Sequence, residues 1–130
     1  HGSIVLTSST AGLYGFPNRA PYAAAKWGII GLMKTLAMEW GPEGVRANAI
    51  CPGAVEGPRM QGVMEREAAA KGTSYQHIYD GYAGGTSMRS LVTAEDVANM
   101  ALFLCSKGAR LVSGQVIAVD GHTENPDPKV

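Results

Sequence analysis

Ser3-Ile-Val-Leu-Thr-Ser-Ser9, a loop and the long segment Tyr22–Trp40, and then Val45-Arg-Ala-Asn-Ala-Ile50 form the unit on which the fold turns. The first run is short, apolar and β-branched, without the alternation of a half-solvated strand, and predicts a strand buried on both faces. The segment from Tyr22 to Trp40 has helical length and stops at Gly41-Pro42. Val45–Ile50 predicts a second buried strand, ended by Cys51-Pro52-Gly53, because Pro removes a ladder donor and Gly permits a sharp turn.

Outward from this unit, Pro58 to about Gly72 predicts a Met-, Glu- and Ala-rich helix, and the Gly/Tyr/Ser-rich stretch through Gly85 holds another short helical piece. Thr93-Ala-Glu-Asp96 has capping-box spacing, and the apolar positions that follow continue at helical intervals to Cys105. Gln115–Val119 predicts a last strand closed by Asp120-Gly121, and the polar, Pro-containing tail 123–130 is expected as a surface extension. Strands alternating with helices predict an α/β fold with right-handed parallel crossovers, in which ligands bind beyond the carboxyl ends of the strands. Ser9 and Pro52-Gly53 both fall at such ends.

The apolar residues of 22–40, among them Trp27, Ile29, Ile30, Leu32, Met33, Leu36 and Trp40, cover more than one stripe, so this helix is expected to pack on two sides. Gly28 and Gly31 each cost about 1 kcal/mol against Ala in a helix interior. They point to a close approach by another backbone or a second subunit.

The 130 residues have the length of one ordinary domain, and an apolar content of 45% is that of a globular protein. Eleven basic residues balance eleven acidic ones, leaving no net field to attract nucleic acid or an anionic membrane surface. No apolar stretch approaches the roughly 20 residues of a membrane helix, so the expectation is a soluble, cytoplasmic protein acting on a small molecule. Cys51 and Cys105 lack metal-ligand spacing and are expected as free thiols, and His77 and His122 have no local partners for a metal.

Tyr22 and Lys26 are four apart at the start of the long helix, so their side chains share a face. A free tyrosine, with a pKa of about 10, is a poor base near neutral pH. A fixed ammonium about 5 Å away stabilises a phenolate by about 3 kcal/mol at an effective dielectric near 20. A hydroxyl such as Ser9 at the adjacent strand end supplies a hydrogen bond to a substrate oxygen as charge develops on it. The chemistry is proton exchange at an alcohol or carbonyl. Ser8 is the alternative to Ser9, although strand-end alternation turns Ser8 toward packing.

Ser8-Ser-Thr-Ala-Gly12, Tyr22-Ala-Ala-Ala-Lys26, Asn48-Ala-Ile-Cys-Pro-Gly53 and Ser113-Gly-Gln-Val-Ile-Ala-Val-Asp-Gly121 together resemble the short-chain dehydrogenase/reductase family, notably its 3-oxoacyl-reductase-like and sugar- or polyol-dehydrogenase-like members. The resemblance runs through nearly the whole chain. It implies a Rossmann-like doubly wound parallel sheet and reversible oxidation of a secondary alcohol to a ketone with NAD or NADP. Tyr22 would be the general acid/base, and Ser9, thirteen positions before it, the donor to the substrate oxygen. Lys26 would lower the tyrosine pKa and hold the nicotinamide ribose with Tyr22, while Pro52, Gly53 and the backbone of Val55 would face the carboxamide.

Family members commonly carry a Thr four residues beyond the Pro-Gly glycine; Gly57 stands here, followed by Pro58-Arg59. Arg59 would reach a phosphate or a substrate carboxylate, or face solvent. Residues 57–90 correspond to the family's substrate lid, where Met60, Met64, Tyr75, Tyr79, Tyr82 and Met88 are candidates for an adaptable pocket, most of them also serving ordinary packing. The substrate, whether a 3-ketoacyl thioester, a sugar or polyol, a steroid or another alcohol, is not legible.

The family's glycine-rich phosphate turn and catalytic Asn do not occur in these 130 residues, nor does the residue that discriminates NAD from NADP. The expectation is therefore a single partial domain, 1–130, forming the C-terminal catalytic half of a longer chain, or one completed by another chain that supplies the missing half. The parent would be a homo-dimer or homo-tetramer assembled partly through the long helix. The other class of function is a non-catalytic binding or assembly module that keeps the fold.

Overall fold

The computed structural model describes residues 1–127. Three strands, β1 (Gly2–Thr7), β2 (Val45–Pro52) and β3 (Val116–Val119), form a parallel sheet in the order β1-β2-β3. The helices are α1 (Ala20–Trp40), α2 (Pro58–Lys71), α3 (Tyr75–Gly84) and α4 (Ala94–Leu104). The register sets Ile4 beside Ala47 and Leu6 beside Ala49, and Ala49 in turn beside Val116. These residues face α1, where Met33, with no exposed surface, plugs the layer between Leu36 and Ala37. On the opposite face the hydroxyl of Ser3 and the guanidinium of Arg46 donate to the Leu104 carbonyl at 3.1 and 2.7 Å, fastening the end of α4. With helices on both faces, β2 is buried continuously from Ala47 to Cys51, as a central parallel strand must be.

Asn48 is the polar exception in that run. Its side chain is fully buried, donating from Nδ2 to the Val112 carbonyl at 2.9 Å and accepting at Oδ1 from the Gln115 amide at 3.1 Å. Together with the Ala47 amide donating to Ser113 Oγ at 3.1 Å, it stations the approach to β3 alongside β2. A buried amide with both ends satisfied fixes the register of the connection, which apolar packing alone would leave free to slide.

Several boundaries depart from the sequence reading. β1 ends at Thr7 rather than Ser9, although the Ser8 amide still donates to the Ile50 carbonyl at 2.8 Å. The Gly/Tyr/Ser-rich stretch holds a complete ten-residue helix, α3, whose start is capped by Ser74 accepting from the His77 amide. The α2–α3 hairpin has its own core of Met64, Ala68, Ile78, Ala83 and Leu91, separate from the core under α1. Thr93 and Asp96 form the expected reciprocal cap of α4.

The tail was expected as a surface extension, but its described part is docked. Thr123 bridges Thr86, and the amides of Glu124 and Asn125 both donate to the Gly85 carbonyl at 2.8 and 2.9 Å. Gly85 permits this crossing, since a Cβ there would stand 2.7 Å from the Asn125 carbonyl oxygen. The last part of the tail, 128–130, lies outside the described residues. Among the described residues no helix is long and apolar enough to cross a membrane.

The Asn48 bridge leads to a stability prediction. Asn48→Ala leaves the Val112 carbonyl and the Gln115 amide buried without partners, so it should cost the full-length protein about 2–4 kcal/mol. The fall in the urea unfolding midpoint measures it.

Candidate active site

The carboxyl rim of the sheet is assembled around the turn that follows β1. Ser8 is buried, and its Oγ donates to the Lys26 carbonyl at 2.8 Å, so it joins the strand end to the second turn of α1. Ser9, half-buried, accepts from the Ala11 amide at 3.1 Å and caps a 3-10 turn, Thr10–Gly12. Gly12 lies against the helix backbone, where a Cβ would overlap Ser8 Oγ and come within 3.1 Å of the Lys26 carbonyl oxygen. The two serines thus divide as the strand-end alternation predicts: Ser8 serves packing, and Ser9 is at the surface of the rim.

Tyr22 and Lys26 lie in the first two turns of α1, both half-buried. The Lys26 ammonium is 5.5 Å from the Tyr22 ring centroid and has no hydrogen-bond or ion-pair partner among the described residues. The Tyr22 hydroxyl also has no hydrogen-bond partner among them. The ring is bounded by Phe16, edge-on at 6.5 Å, and by the Arg19 guanidinium, 4.6 Å from its centroid. Sequence reasoning passed over Arg19; the only available signal was its place three residues before Tyr22.

Pro52 and Gly53 complete the rim from β2. The Gly53 amide donates to the Val119 carbonyl at 3.0 Å, and a Cβ on Gly53 would stand 3.0 Å from Asp120 Cβ, so the turn passes close over the end of β3. The Cys51 thiol shows how near the pieces are. Burial pushes its pKa above the ordinary thiol value, against hydrogen bonds from the Ser8 side chain and the Ser9 backbone, while Asp120 raises it further and the Lys26 charge lowers it.

Val55 forms an isolated parallel bridge with Val92, made by the Val92 amide on the Ala54 carbonyl at 3.0 Å and the Glu56 amide on the Val92 carbonyl at 2.7 Å. The amide and carbonyl of Val55 itself have no partner among the described residues. A nicotinamide carboxamide presents one donor group and one acceptor, the complement of that pair. The free ammonium of Lys26 suits vicinal ribose hydroxyls, so the groups present fit this half of such a cofactor.

Beyond the rim, a cavity of about 320 Å³ opens between the loop after Gly53 and helices α2 and α3, lined by Glu56, Gly57, Gln61, Met64, Tyr75 and Tyr79. The Tyr79 hydroxyl donates to Glu56 at 2.7 Å, and that carboxylate is the leading cause holding the phenol above its ordinary pKa. Of the other lid candidates, Met60 and Tyr82 pack on the hairpin core and Met88 is exposed. Gly57 has φ 151° and is the N-cap of α2 without a side-chain bond, and Arg59 stands exposed in the first turn.

A family model described as Enoyl-(Acyl carrier protein) reductase matches residues 1–122. The chain is 40% identical over 121 residues to the 3-oxoacyl-(acyl-carrier-protein) reductase of Thermotoga maritima, covering 93% of this chain and 45% of the relative. Among solved structures it is similar to a variant of actinorhodin polyketide ketoreductase with NADPH, at 33% identity and TM-score 0.86 over 95% of this chain and 47% of that one. It is also similar to an NAD+-bound xylitol dehydrogenase, at 28% identity and TM-score 0.84 over 93% and 48%. The chain spans about half the length of the curated relatives it matches.

Two outcomes follow from the packing of the rim. Gly12→Ala should push the turn off α1 at a cost of about 1–3 kcal/mol. Adding Ser8→Ala should recover part of that loss, because the overlapping atom is Ser8 Oγ; denaturation of the single and double variants reads the non-additivity. At pH 8 an alkylating reagent should modify the exposed Cys105 well before Cys51, whose thiolate is disfavoured by burial, as peptide mass mapping over time would record.

Proposed function

The chain belongs to the short-chain dehydrogenase/reductase family, and from that premise we propose that its full-length protein interconverts a secondary alcohol and a ketone with a nicotinamide cofactor, NAD or NADP. The observation that carries the reading is the Tyr22–Lys26 pair on one helix face, with a phenol hydroxyl and an ammonium that have no hydrogen-bond or ion-pair partner among the described residues. A bound nicotinamide supplies the hydride acceptor or donor.

Tyr22 takes the proton from the alcohol oxygen, or returns it to the carbonyl oxygen in reduction. Lys26 stabilises the phenolate and holds the ribose hydroxyls; Ser9 donates a hydrogen bond to the substrate oxygen as negative charge builds there. Pro52 and Gly53 shape the turn against the nicotinamide face, and the Val55 backbone pairs with the carboxamide. The relatives' names span acyl, polyketide and polyol substrates, which supports the reaction class and leaves the substrate to the lid. The protein acts as a homo-dimer or homo-tetramer through the outer face of α1, where Trp27, Leu32 and Met38 are exposed on this chain.

Nicotinamide fluorescence on titrating NADH and NADPH into the full-length protein tests the premise of cofactor chemistry; no binding of either would leave a non-catalytic module as the remaining reading. Tyr22→Phe should lower kcat by at least about a thousandfold, the loss of acid/base catalysis together with its oriented hydroxyl, while the cofactor Kd changes less than about threefold. Equal loss of binding and turnover would assign Tyr22 a structural role instead.

A further inference from the structure

Arg19 sits at the N-cap of α1, its amide bonded to the Phe16 carbonyl at 3.1 Å. Its guanidinium carbon stands 4.6 Å from the Tyr22 ring centroid and 5.5 Å from that of Phe16, and the two rings meet edge-on. The side chain is exposed, yet two aromatic faces hold it in place. The ion pairs among the described residues, Lys71–Glu67 and Arg89–Glu124, do not include it. Burial holds the Tyr82 phenol on α3 above its ordinary pKa, and the Arg19 charge acts against that rise. Glu67 and Asp127 also act on Tyr82, but neither is within ion-pair distance of Arg19.

Stacking engages the face of a guanidinium and leaves its fork of N–H donors, which lie in the plane, available. We propose that Arg19 recognises the carboxylate of the substrate, so that the alcohol or ketone acted on is a short hydroxy or oxo acid with its carboxylate a few atoms from the reacting carbon. This deepens the oxidoreductase reading and rests on it. A carboxylate has the planar pair of oxygens that the fork matches, and its single charge is neutralised by the Arg19 guanidinium. A phosphate dianion would need a second cation, and the neighbouring one among the described residues, Lys26, serves the ribose and the phenolate. Bound in this way, the acid reaches Tyr22 with its hydroxyl end, and the cation stacked on that ring orients it.

The test uses the full-length protein and measures binding of 2-, 3- and 4-hydroxybutanoate, each against the matching amide and the phosphate ester of the corresponding diol, with and without nicotinamide cofactor. At least one acid should bind about ten- to a hundredfold more tightly than its amide, the range of a charge-assisted bond. Arg19→Gln should collapse that ratio to near one, and Arg19→Lys should keep part of it. Equal binding of acids and amides by the unaltered protein, a ratio that survives Arg19→Gln, or a phosphate bound more tightly than the carboxylates would each overturn the proposal. Because the ratio is read without cofactor as well, a failure of nicotinamide binding would sink the oxidoreductase reading separately.

Discussion

The hydrogen bond from buried Ser8 Oγ to the Lys26 carbonyl, with Gly12 pressed beside it, is the constraint on which the rest of the rim depends. A helix carbonyl already accepts from the amide four residues on, but a second lone pair remains. Ser8 occupies it without breaking the helix. The end of β1 is thereby joined to the backbone of α1 at the residue that carries the ammonium, with no long side chain between them. Ser9, one residue further, inherits this position, and so does the Cys51–Gly53 turn, because the Ser8 amide is bonded to Ile50 of β2. Lys26 cannot shift relative to Ser9 without exposing a buried hydroxyl, an acceptor and a glycine-sized contact together.

What was legible in the sequence is what short-range rules determine. The apolar run of β2 and the Thr93–Asp96 cap each depend on a few consecutive residues and stand where the pattern put them, although β2 runs past Ile50 through Cys51 and Pro52 before Gly53 turns the chain. β1 was drawn too long because Ser8 and Ser9 continue its extended backbone while already bonding to α1 and to their own turn. The helix α3 was only half visible: Tyr75-Gln-His-Ile-Tyr-Asp-Gly-Tyr carries weak helix formers, and its stability comes from Ile78 and Ala83 packing on Met64 and Leu91. The docked tail was invisible, since backbone bonds to Gly85 leave no side-chain signature. Arg19 drew no reading from the sequence, because stacking on Tyr22 requires the loop 11–19 to return over the helix start.

The glycines divide in an instructive way. Gly28 and Gly31 were read as points of close approach, but within this chain a Cβ at either meets nothing within 4 Å. The approaches that do need glycine are at Gly12, Gly53 and Gly85, in turns where one backbone passes another. The helical pair instead lies on the exposed side of α1, with Trp27 and Leu32, so the second packing side inferred from composition has no occupant among the described residues. A hydrophobic stripe specifies that a surface is to be covered; it does not specify by what.

The starts of α1 and α4 show where local stability rules have been set aside. α4 has a capping box and two acidic residues in its first turn, the arrangement that satisfies its end amides and complements its dipole. α1 is almost twice as long, yet its N-cap Arg19 makes no side-chain cap and no acid stands in its first turn. A cation at the positive end of a helix opposes the dipole, and a carboxylate there would be the stabilising choice. Such an acid would also lie within reach of Arg19 and neutralise its charge. Leaving the helix end positive and uncapped weakens α1 locally and leaves the Arg19 guanidinium without a carboxylate partner among the described residues. The length of α1 and the Met33 anchor beneath it supply the stability that this start gives up.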